Sequence, residues 1–234
     1  MTDNFVIGVL GGMGTYATIH LFNQYAYVFG AEKEWDRPRI IIDNRCTMPS
    51  RVRAWLYDEN IEELISQMSE SLKLLIDAKC TRIILACNTS HLFLPAIYED
   101  IPEAVDIVYS IIDCCVERIV LEKVKSVYLL ASEGTIESNI YQRKLADRGI
   151  ACITPNKEDY RLLRKCIEAV KQCRYSEEIK SLFLELIERY DTCILGCTEL
   201  PVLYEKYVSS ASHKKVYDPL LITLQELKKE FDDD

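Results

Sequence analysis

The fold is decided by the run Arg82-Ile83-Ile84-Leu85-Ala86-Cys87-Asn88-Thr89, in which a short apolar segment ends on a cysteine and two small polar residues. A continuous apolar run bounded in this way is typical of a parallel β-strand that is covered on both faces. A matching run, Thr192-Cys193-Ile194-Leu195-Gly196-Cys197-Thr198-Glu199, lies in the second half of the chain. Both runs therefore predict a buried strand whose carboxyl end carries a cysteine.

Outward from these runs, apolar segments of strand length alternate with longer amphipathic segments of helical period. The strands are expected at Phe5–Leu10, Arg39–Asp43, Arg82–Ala86, Ser126–Leu130, Ile150–Ile153 and Thr192–Leu195. The helices are expected at Ala17–Phe29, Asn60–Ala78, Val105–Glu122, Ile136–Asp147, Tyr160–Gln172, Ser176–Arg189 and Pro219–Phe231. This alternation predicts parallel α/β sheets with helices on both faces.

The two halves of the chain repeat one another in a second place. Val9-Leu10-Gly11-Gly12-Met13-Gly14-Thr15 lines up with Leu129-Leu130-Ala131-Ser132-Glu133-Gly134-Thr135, and both segments read as strand-to-helix turns. Short apolar strands match by chance, but two matches in the same order favour duplication of one unit. We therefore expect two similar α/β domains related by pseudo-twofold symmetry, with a cleft between them.

Composition excludes several classes of protein. The formal net charge of the 234 residues is −9 and no Lys/Arg cluster is present, which argues against a nucleic-acid partner. No segment has the ~20 consecutive apolar residues of a membrane span, and the start of the chain lacks the basic region of a signal peptide. We expect a cytoplasmic protein.

Ten cysteines are present, yet the chain is long and shows no export signal, so most of them are expected to be free thiols. There is no C-x-x-C pair, and the three histidines, His20, His91 and His213, are scattered singly. A metal site is therefore not expected.

Cys87 and Cys197 differ from the other cysteines in their place. Each ends a predicted strand, where open α/β sheets bind ligands, and each precedes small polar residues that can donate hydrogen bonds to an anion. Two thiols related by a pseudo-twofold axis suit racemisation, in which a proton leaves one face of a carbon and returns to the other.

A rival interpretation is the dinucleotide fingerprint Gly12-Met13-Gly14-Thr15-Tyr16-Ala17 with Asp43, which leaves the paired cysteines unexplained.

Three motifs then resemble the aspartate/glutamate racemase family: Gly11-Gly12-Met13-Gly14-x-x-Ala17-Thr18, Ala86-Cys87-Asn88-Thr89-Ser90-His91 and Leu195-Gly196-Cys197-Thr198-Glu199-Leu200-Pro201. The resemblance covers nearly the whole chain. It implies an enzyme that needs no pyridoxal phosphate or other cofactor, acts on a small acidic amino acid and is commonly a homodimer. We expect residues 1–105 with 214–234 to form the first domain and 106–213 the second.

The resemblance also implies roles for individual residues. Cys87 and Cys197 would be the two acid/bases. The arginine of the Pro49-Ser50-Arg51 loop would grip a substrate carboxylate, and Lys171 would meet the distal carboxylate. The α-carboxylate or ammonium would be bound from the first half by Asn88, Thr89 and Ser90 and from the second half by Thr198 and Glu199.

Some questions stay open at the level of sequence. His91 could equally be a satisfied buried histidine, and Glu199 a helix-capping acid. Thr15-Tyr16 stands where the family usually has proline, and Asp43-Asn44-Arg45-Cys46-Thr47-Met48 departs from the family pattern, so aspartate, glutamate or both remain candidate substrates. The alternatives are a relative that uses one cysteine, such as a maleate isomerase or malonate decarboxylase, and a binding or sensing module without turnover.

Overall fold

The computed structural model describes residues 5–208 and 214–233, which form two parallel sheets of four strands each. The strands are β1 Val6–Gly11, β2 Arg39–Asn44, β3 Arg82–Leu85, β4 Val108–Tyr109, β5 Ser126–Ala131, β6 Ala151–Ile153, β7 Thr192–Gly196 and β8 Lys215–Tyr217. Their order is β2-β1-β3-β4 in the first sheet and β6-β5-β7-β8 in the second. The same order in both sheets confirms the predicted pair of similar α/β units.

Helices connect the strands and cover both sheets. Those of the described residues are α1 Thr15–Val28, α2 Arg51–Tyr57, α3 Ile61–Asp77, α4 Leu94–Asp100, α5 Ala104–Ile107, α6 Ile111–Leu121, α7 Glu133–Glu137, α8 Ile140–Ala146, α9 Lys157–Lys171, α10 Glu177–Glu188, α11 Leu200–Tyr207 and α12 Pro219–Asp233. Single turns of 3-10 helix lie at Glu34–Asp36 and Thr89–Phe93. Of these, α2, α4 and α11 were not among the helices expected from sequence.

Two of the predicted helices were wrong in extent. The helix expected at Val105–Glu122 contains β4, because Ser110 adopts an extended backbone and its side chain accepts a hydrogen bond from Asp113 N–H, which starts α6 at Ile111. The helix expected at Ile136–Asp147 is divided into α7 and α8 at Asn139, whose φ of 57° is left-handed and interrupts the helical path.

Strand pairing bears on the expected domain ranges. β4 pairs in parallel with β3 of the first sheet, so the first unit includes Tyr109. β8 pairs with β7 of the second sheet, so the second unit includes Tyr217. The last helix, α12, then packs against α1 of the first unit and α6 of the second. The chain thus crosses between the two units after β4 and again after β8.

The core explains how the two units are joined. Alternate residues of a strand point to opposite faces of its sheet. In β1, Ile7 and Val9 face one cluster, which also contains Leu129 of β5 and Ile194 of β7, whereas Val6 and Leu10 face α3 and α4 in a second cluster. A third cluster lies between the second sheet and α9 to α11. One core is therefore common to both units, and each unit has a further core of its own.

The turn between β1 and α1 is closed by its own hydrogen bonds. Gly12 has a φ of 79°, and its N–H donates to Thr18 Oγ1 at 3.1 Å, while that hydroxyl donates to the carbonyl oxygen of Gly14 at 3.1 Å. A Cβ on Gly12 would come within 2.3 Å of the Arg45 backbone. Glycine is therefore required here by both conformation and space.

The two left-handed glycines allow a matched test. We expect Gly149→Ala to lower the free energy of unfolding by about 1–2 kcal/mol, because its φ of 69° is strained but no atom lies within 4 Å of the added Cβ. Gly12→Ala should lower it by at least ~2 kcal/mol more, because backbone must move to admit the methyl group. Denaturant unfolding followed by circular dichroism measures both. Equal losses would contradict the close approach of Arg45.

Candidate active site

The structure brings the two predicted cysteines to one place between the units. Cys87 follows β3 and Cys197 follows β7, the equivalent strand of the second sheet. Cys87 is half-buried and Cys197 is buried. The two thiols are close enough that a charge on Cys87 contributes to raising the pKa of Cys197.

Cys197 lies against a carboxylate. Its thiol donates to Oε2 of Glu199 at 3.0 Å, and Glu199 is only 3 % exposed. The pKa of Cys197 is raised well above its ordinary value, first by burial and then by the negative charge of Glu199, while Lys171 acts in the opposite direction. Glu199 is the N-cap residue of α11, but its side chain makes no capping hydrogen bond and contacts Cys197 instead.

Gly14 of the other unit lies close to the Glu199 carboxylate. A Cβ on Gly14 would lie 2.3 Å from Oε1 of Glu199, so glycine leaves room for the carboxylate in the position that it occupies. Oε1 itself is buried and has no hydrogen-bond partner. The glycine-rich turn of the first unit thus packs directly on the acid that contacts Cys197.

Lys171 ends α9 and faces the same group of charges. Burial lowers the pKa of its ammonium, but Glu199, Cys197 and Glu168 outweigh burial and raise the pKa above its ordinary value. Its Nζ lies 3.4 Å from Oε1 of Glu168, and Arg51 opposes its charge from the first unit. The structure therefore places Lys171 beside Cys197 and Glu199.

Arg51 is the first residue of α2, and the structure gives it main-chain partners. Its guanidinium donates to the carbonyl oxygens of Met13 at 2.7 Å and Pro49 at 2.9 Å. Its Nε is buried without a partner. Arg51 thus ties the glycine-rich turn to the 49–51 loop while one nitrogen stays unused.

The main chain at Cys87 is fixed by the residues that follow it. Its carbonyl oxygen accepts hydrogen bonds from Ser90 Oγ at 2.7 Å and from the ring of His91, whose Nδ1 lies 3.0 Å away. Burial lowers the pKa of His91 to about 4. Ser90 and His91 therefore support the loop that carries Cys87. His91 is a buried histidine whose Nδ1 has a hydrogen-bond partner, as one of the two interpretations expected.

Hydrogen bonds across the boundary between the units surround the two cysteines. Asn88 Oδ1 accepts a hydrogen bond from the Tyr141 hydroxyl at 2.6 Å, and Nδ2 of Asn88 is buried and unpartnered. Thr198 Oγ1 donates to the carbonyl oxygen of Ala86 at 3.2 Å. These contacts join the strand ends of one unit to the loops and helices of the other.

A second group of contacts across this boundary is made of hydroxyls alone. Thr89 Oγ1 lies 2.8 Å from Thr135 Oγ1 and 3.1 Å from Ser132 Oγ. Ser132 and Thr135 were quoted in the internal repeat but were not chosen as site residues. In the internal repeat they align with Gly12 and Thr15, and this alignment was the signal that could have identified them. Nothing in the sequence singled out Tyr141.

Other candidate sites are few in the part of the chain that the structure describes. Within residues 5–208 and 214–233, no three His, Cys, Asp or Glu side chains are grouped to hold a metal ion. None of the described helices has the length and apolar character to span a membrane. A cavity of about 960 Å³ lies between α1, α11, β8 and α12, and it is lined by neither cysteine.

Comparisons with known proteins match most of the chain. Residues 10–227 match the family model described as Asp/Glu/Hydantoin racemase. The broad specificity amino-acid racemase of Bacillus subtilis is 28% identical over 205 residues, which cover 83% of this chain and 86% of that protein. The fold is similar to that of Picrophilus torridus aspartate racemase, with a TM-score of 0.80, 24% identity and coverage of 97% of this chain and 94% of the other.

A further solved structure, glutamate racemase from Francisella tularensis in complex with D-glutamate, has a TM-score of 0.66 and 20% identity. The match covers 99% of this chain and 82% of that one. Structures at this level of identity confirm the two-unit fold and do not by themselves assign site residues.

His91 should make stability depend on pH. Its pKa is about 4 in the folded chain and 6.5 as a free side chain, so the unfolded state binds a proton first as the pH falls. Stability is therefore lost between pH 6.5 and 4, by roughly 3 kcal/mol for a shift of this size. Denaturant unfolding of the chain and of His91→Asn across this range measures the difference. Parallel pH dependence in the two proteins would contradict a buried neutral His91.

Proposed function

The chain belongs to the Asp/Glu/Hydantoin racemase family, and from this premise we propose that it racemises an acidic amino acid by proton transfer between Cys87 and Cys197, without a cofactor. The observation that carries the proposal is the placement of two thiols at the ends of equivalent strands, β3 and β7, of two similar units. A symmetric pair of acid/bases is what inversion at a carbon requires.

In the proposed reaction one cysteine acts as a thiolate and removes the α-proton, and the other acts as a thiol and donates a proton to the opposite face. The electron pair left by the first step is delocalised onto the substrate carboxylate, so hydrogen-bond donors aimed at this group lower the barrier. Nδ2 of Asn88 is buried and unused, which suits it to that task. Thr89 and Thr198 offer hydroxyls from the two sides of the cleft. The roles of the cysteines exchange with the handedness of the substrate.

The choice of an acidic substrate rests on the cations at the site. Lys171 interacts electrostatically with Cys197, and Arg51 is near enough to Lys171 to act on its charge, so the two cations are neighbours at the site. Such a pair can receive a distal carboxylate, which Arg can hold with two parallel hydrogen bonds. The similarity to an aspartate racemase and to a glutamate racemase with bound D-glutamate supports this choice. Because another relative is a broad specificity amino-acid racemase, the selectivity between amino acids has to be measured.

Access to the site requires the units to separate. Cys197, Asn88, Thr89, Thr198 and Glu199 are all at least nine-tenths buried in the described chain. The hydrogen bonds that close the boundary are made by hydroxyl and amide groups, which water can replace when the cleft opens. We therefore propose that substrate enters an opened form and that closure removes water before proton transfer.

Replacing either cysteine tests the two-base mechanism. Cys87→Ser and Cys197→Ser should each reduce kcat for racemisation of L-aspartate and L-glutamate by roughly 1,000-fold or more, because a hydroxyl does not supply the thiolate base. Optical activity and α-deuterium incorporation in deuterated water are followed together. The matched control is Cys114→Ser, since Cys114 is half-buried like Cys87 but lies on α6.

Three results would overturn this proposal in different ways. Full activity in one cysteine variant would indicate chemistry that uses a single cysteine. Release of a different product would indicate an isomerase or decarboxylase of the superfamily. Binding of the amino acid without deuterium incorporation in the unaltered chain would indicate a sensing module.

Lys171 should govern selectivity for acidic side chains. We expect Lys171→Gln to reduce kcat/KM for the acidic substrate by about 100-fold, through loss of a charge-assisted hydrogen bond to the distal carboxylate. Turnover of alanine, which has no such group, should change far less. Lys165→Gln is the control, because Lys165 is exposed on the same helix, α9. An equal loss for aspartate and alanine would contradict the assigned role.

A further inference from the structure

The two cysteines of this site have unequal surroundings. The Cys197 thiol donates to the buried carboxylate of Glu199, and the carboxylate is held between the thiol and the Gly14 backbone of the other unit. Among the described residues no carboxylate is hydrogen-bonded to the Cys87 sulfur: the residue packs against the apolar cluster of the first unit, and its carbonyl oxygen accepts hydrogen bonds from Ser90 and His91. The internal repeat is thus symmetric in its backbone and asymmetric in its charges.

The charged groups around Cys197 come from both units. Glu199 lies on its own segment, Lys171 with its partner Glu168 comes from α9, and Arg51 and Cys87 come from the first unit. Among these only Glu199 touches the sulfur, at 3.0 Å. A carboxylate can only accept a hydrogen bond, so this contact requires the proton to reside on the sulfur as long as Glu199 is ionised.

From this geometry we infer that Glu199 fixes the resting proton on Cys197, so that Cys197 begins the reaction as the proton donor and Cys87 as the proton acceptor. The inference rests on the proposed racemase function. It makes Glu199 a positioning residue that acts through Cys197, in place of the substrate-binding role expected from sequence. The enantiomer whose α-proton faces Cys87 then reacts with the resting enzyme directly.

The opposite direction needs a proton shift first. The proton of Cys197 passes along the existing hydrogen bond to Oε2 of Glu199, which gives a Cys197 thiolate and a neutral carboxylic acid, while Cys87 takes up a proton from the acid form of the solvent buffer, which is left as its conjugate base. No electrons are exchanged, and each proton that leaves one group is bound by another. Glu199 is therefore also the group that accepts the Cys197 proton and so prepares the two cysteines for the second enantiomer.

The test is a pH titration of each thiol. Thiolate formation is followed by ultraviolet absorbance, as the difference between a protein and the same protein carrying Cys87→Ser or Cys197→Ser. In the unaltered chain we expect Cys197 to titrate above the ordinary range of a thiol. In Glu199→Gln, which keeps a hydrogen-bond acceptor but removes the charge, the Cys197 midpoint should fall by about one pH unit or more.

Two variants serve as controls. Glu199→Asp keeps the carboxylate and should leave the Cys197 midpoint above that of Glu199→Gln. Glu168→Gln removes a carboxylate that contacts Lys171 and not the thiol, and it should leave the Cys197 midpoint closer to that of the unaltered chain than Glu199→Gln does. Circular dichroism checks the fold of each variant. If Glu199→Gln does not fold, Glu199→Ala takes its place, because it also removes the charge and should also lower the Cys197 midpoint.

The outcomes separate the inference from the proposed function. If Cys197 titrates in the ordinary range of a thiol in the unaltered chain, or if Glu199→Gln leaves the Cys197 midpoint where it was, Glu199 does not hold the proton. If the titration behaves as expected and the unaltered chain racemises neither aspartate nor glutamate, the proposed function is wrong and the proton placement stands. Racemisation with the expected titration supports both.

Discussion

The structure depends on the core that is shared between the two sheets. Ile7 and Val9 on one side and Leu129 and Ile194 on the other belong to a single buried cluster, completed by residues of α6 and α12. Because both sheets use one face for this cluster, their strands are held in a fixed relation, and the carboxyl ends of β3 and β7 meet at the boundary. The two cysteines come together as a result of apolar packing rather than of any contact that they make.

Polar residues fix the arrangement of the loops at the boundary between the two units. The boundary near the cysteines is closed by hydrogen bonds such as Tyr141 to Asn88 and Thr198 to Ala86, which are directional and specify one arrangement of the loops. The glycine-rich turn lies close to Arg45 on one side and to Glu199 on the other, so it fixes the position of an acid that belongs to the opposite unit. A duplicated backbone therefore carries a site whose two sides differ in charge.

Much of this was predictable from the sequence, because buried strands have continuous apolar runs and their ends are marked by small polar residues. The strands β1, β3, β5 and β7, and with them the places of Cys87 and Cys197, followed from that pattern. The edge strands β4 and β8 did not: the two residues of β4 lie in a segment whose pattern predicted a helix, and the three residues of β8 carry no period. The Glu199 contact with Cys197 was missed for another reason: a glutamate two residues from a cysteine has no preferred direction until the Gly14 turn of the other unit restricts it.

The hydrogen bonds that close the cleft have a consequence for how tightly anything can bind there. Thr89, Thr198 and the carbonyl of Asn88 are already satisfied by partners across the boundary, so a bound molecule exchanges one bond for another at these groups and gains little. Net affinity then comes from the charge of Lys171 and from atoms that have no partner in the closed form, which here include Nδ2 of Asn88 and Nε of Arg51. The hydrogen bonds across the boundary therefore compete with those to a bound molecule. This competition favours weak ground-state binding and rapid release of product.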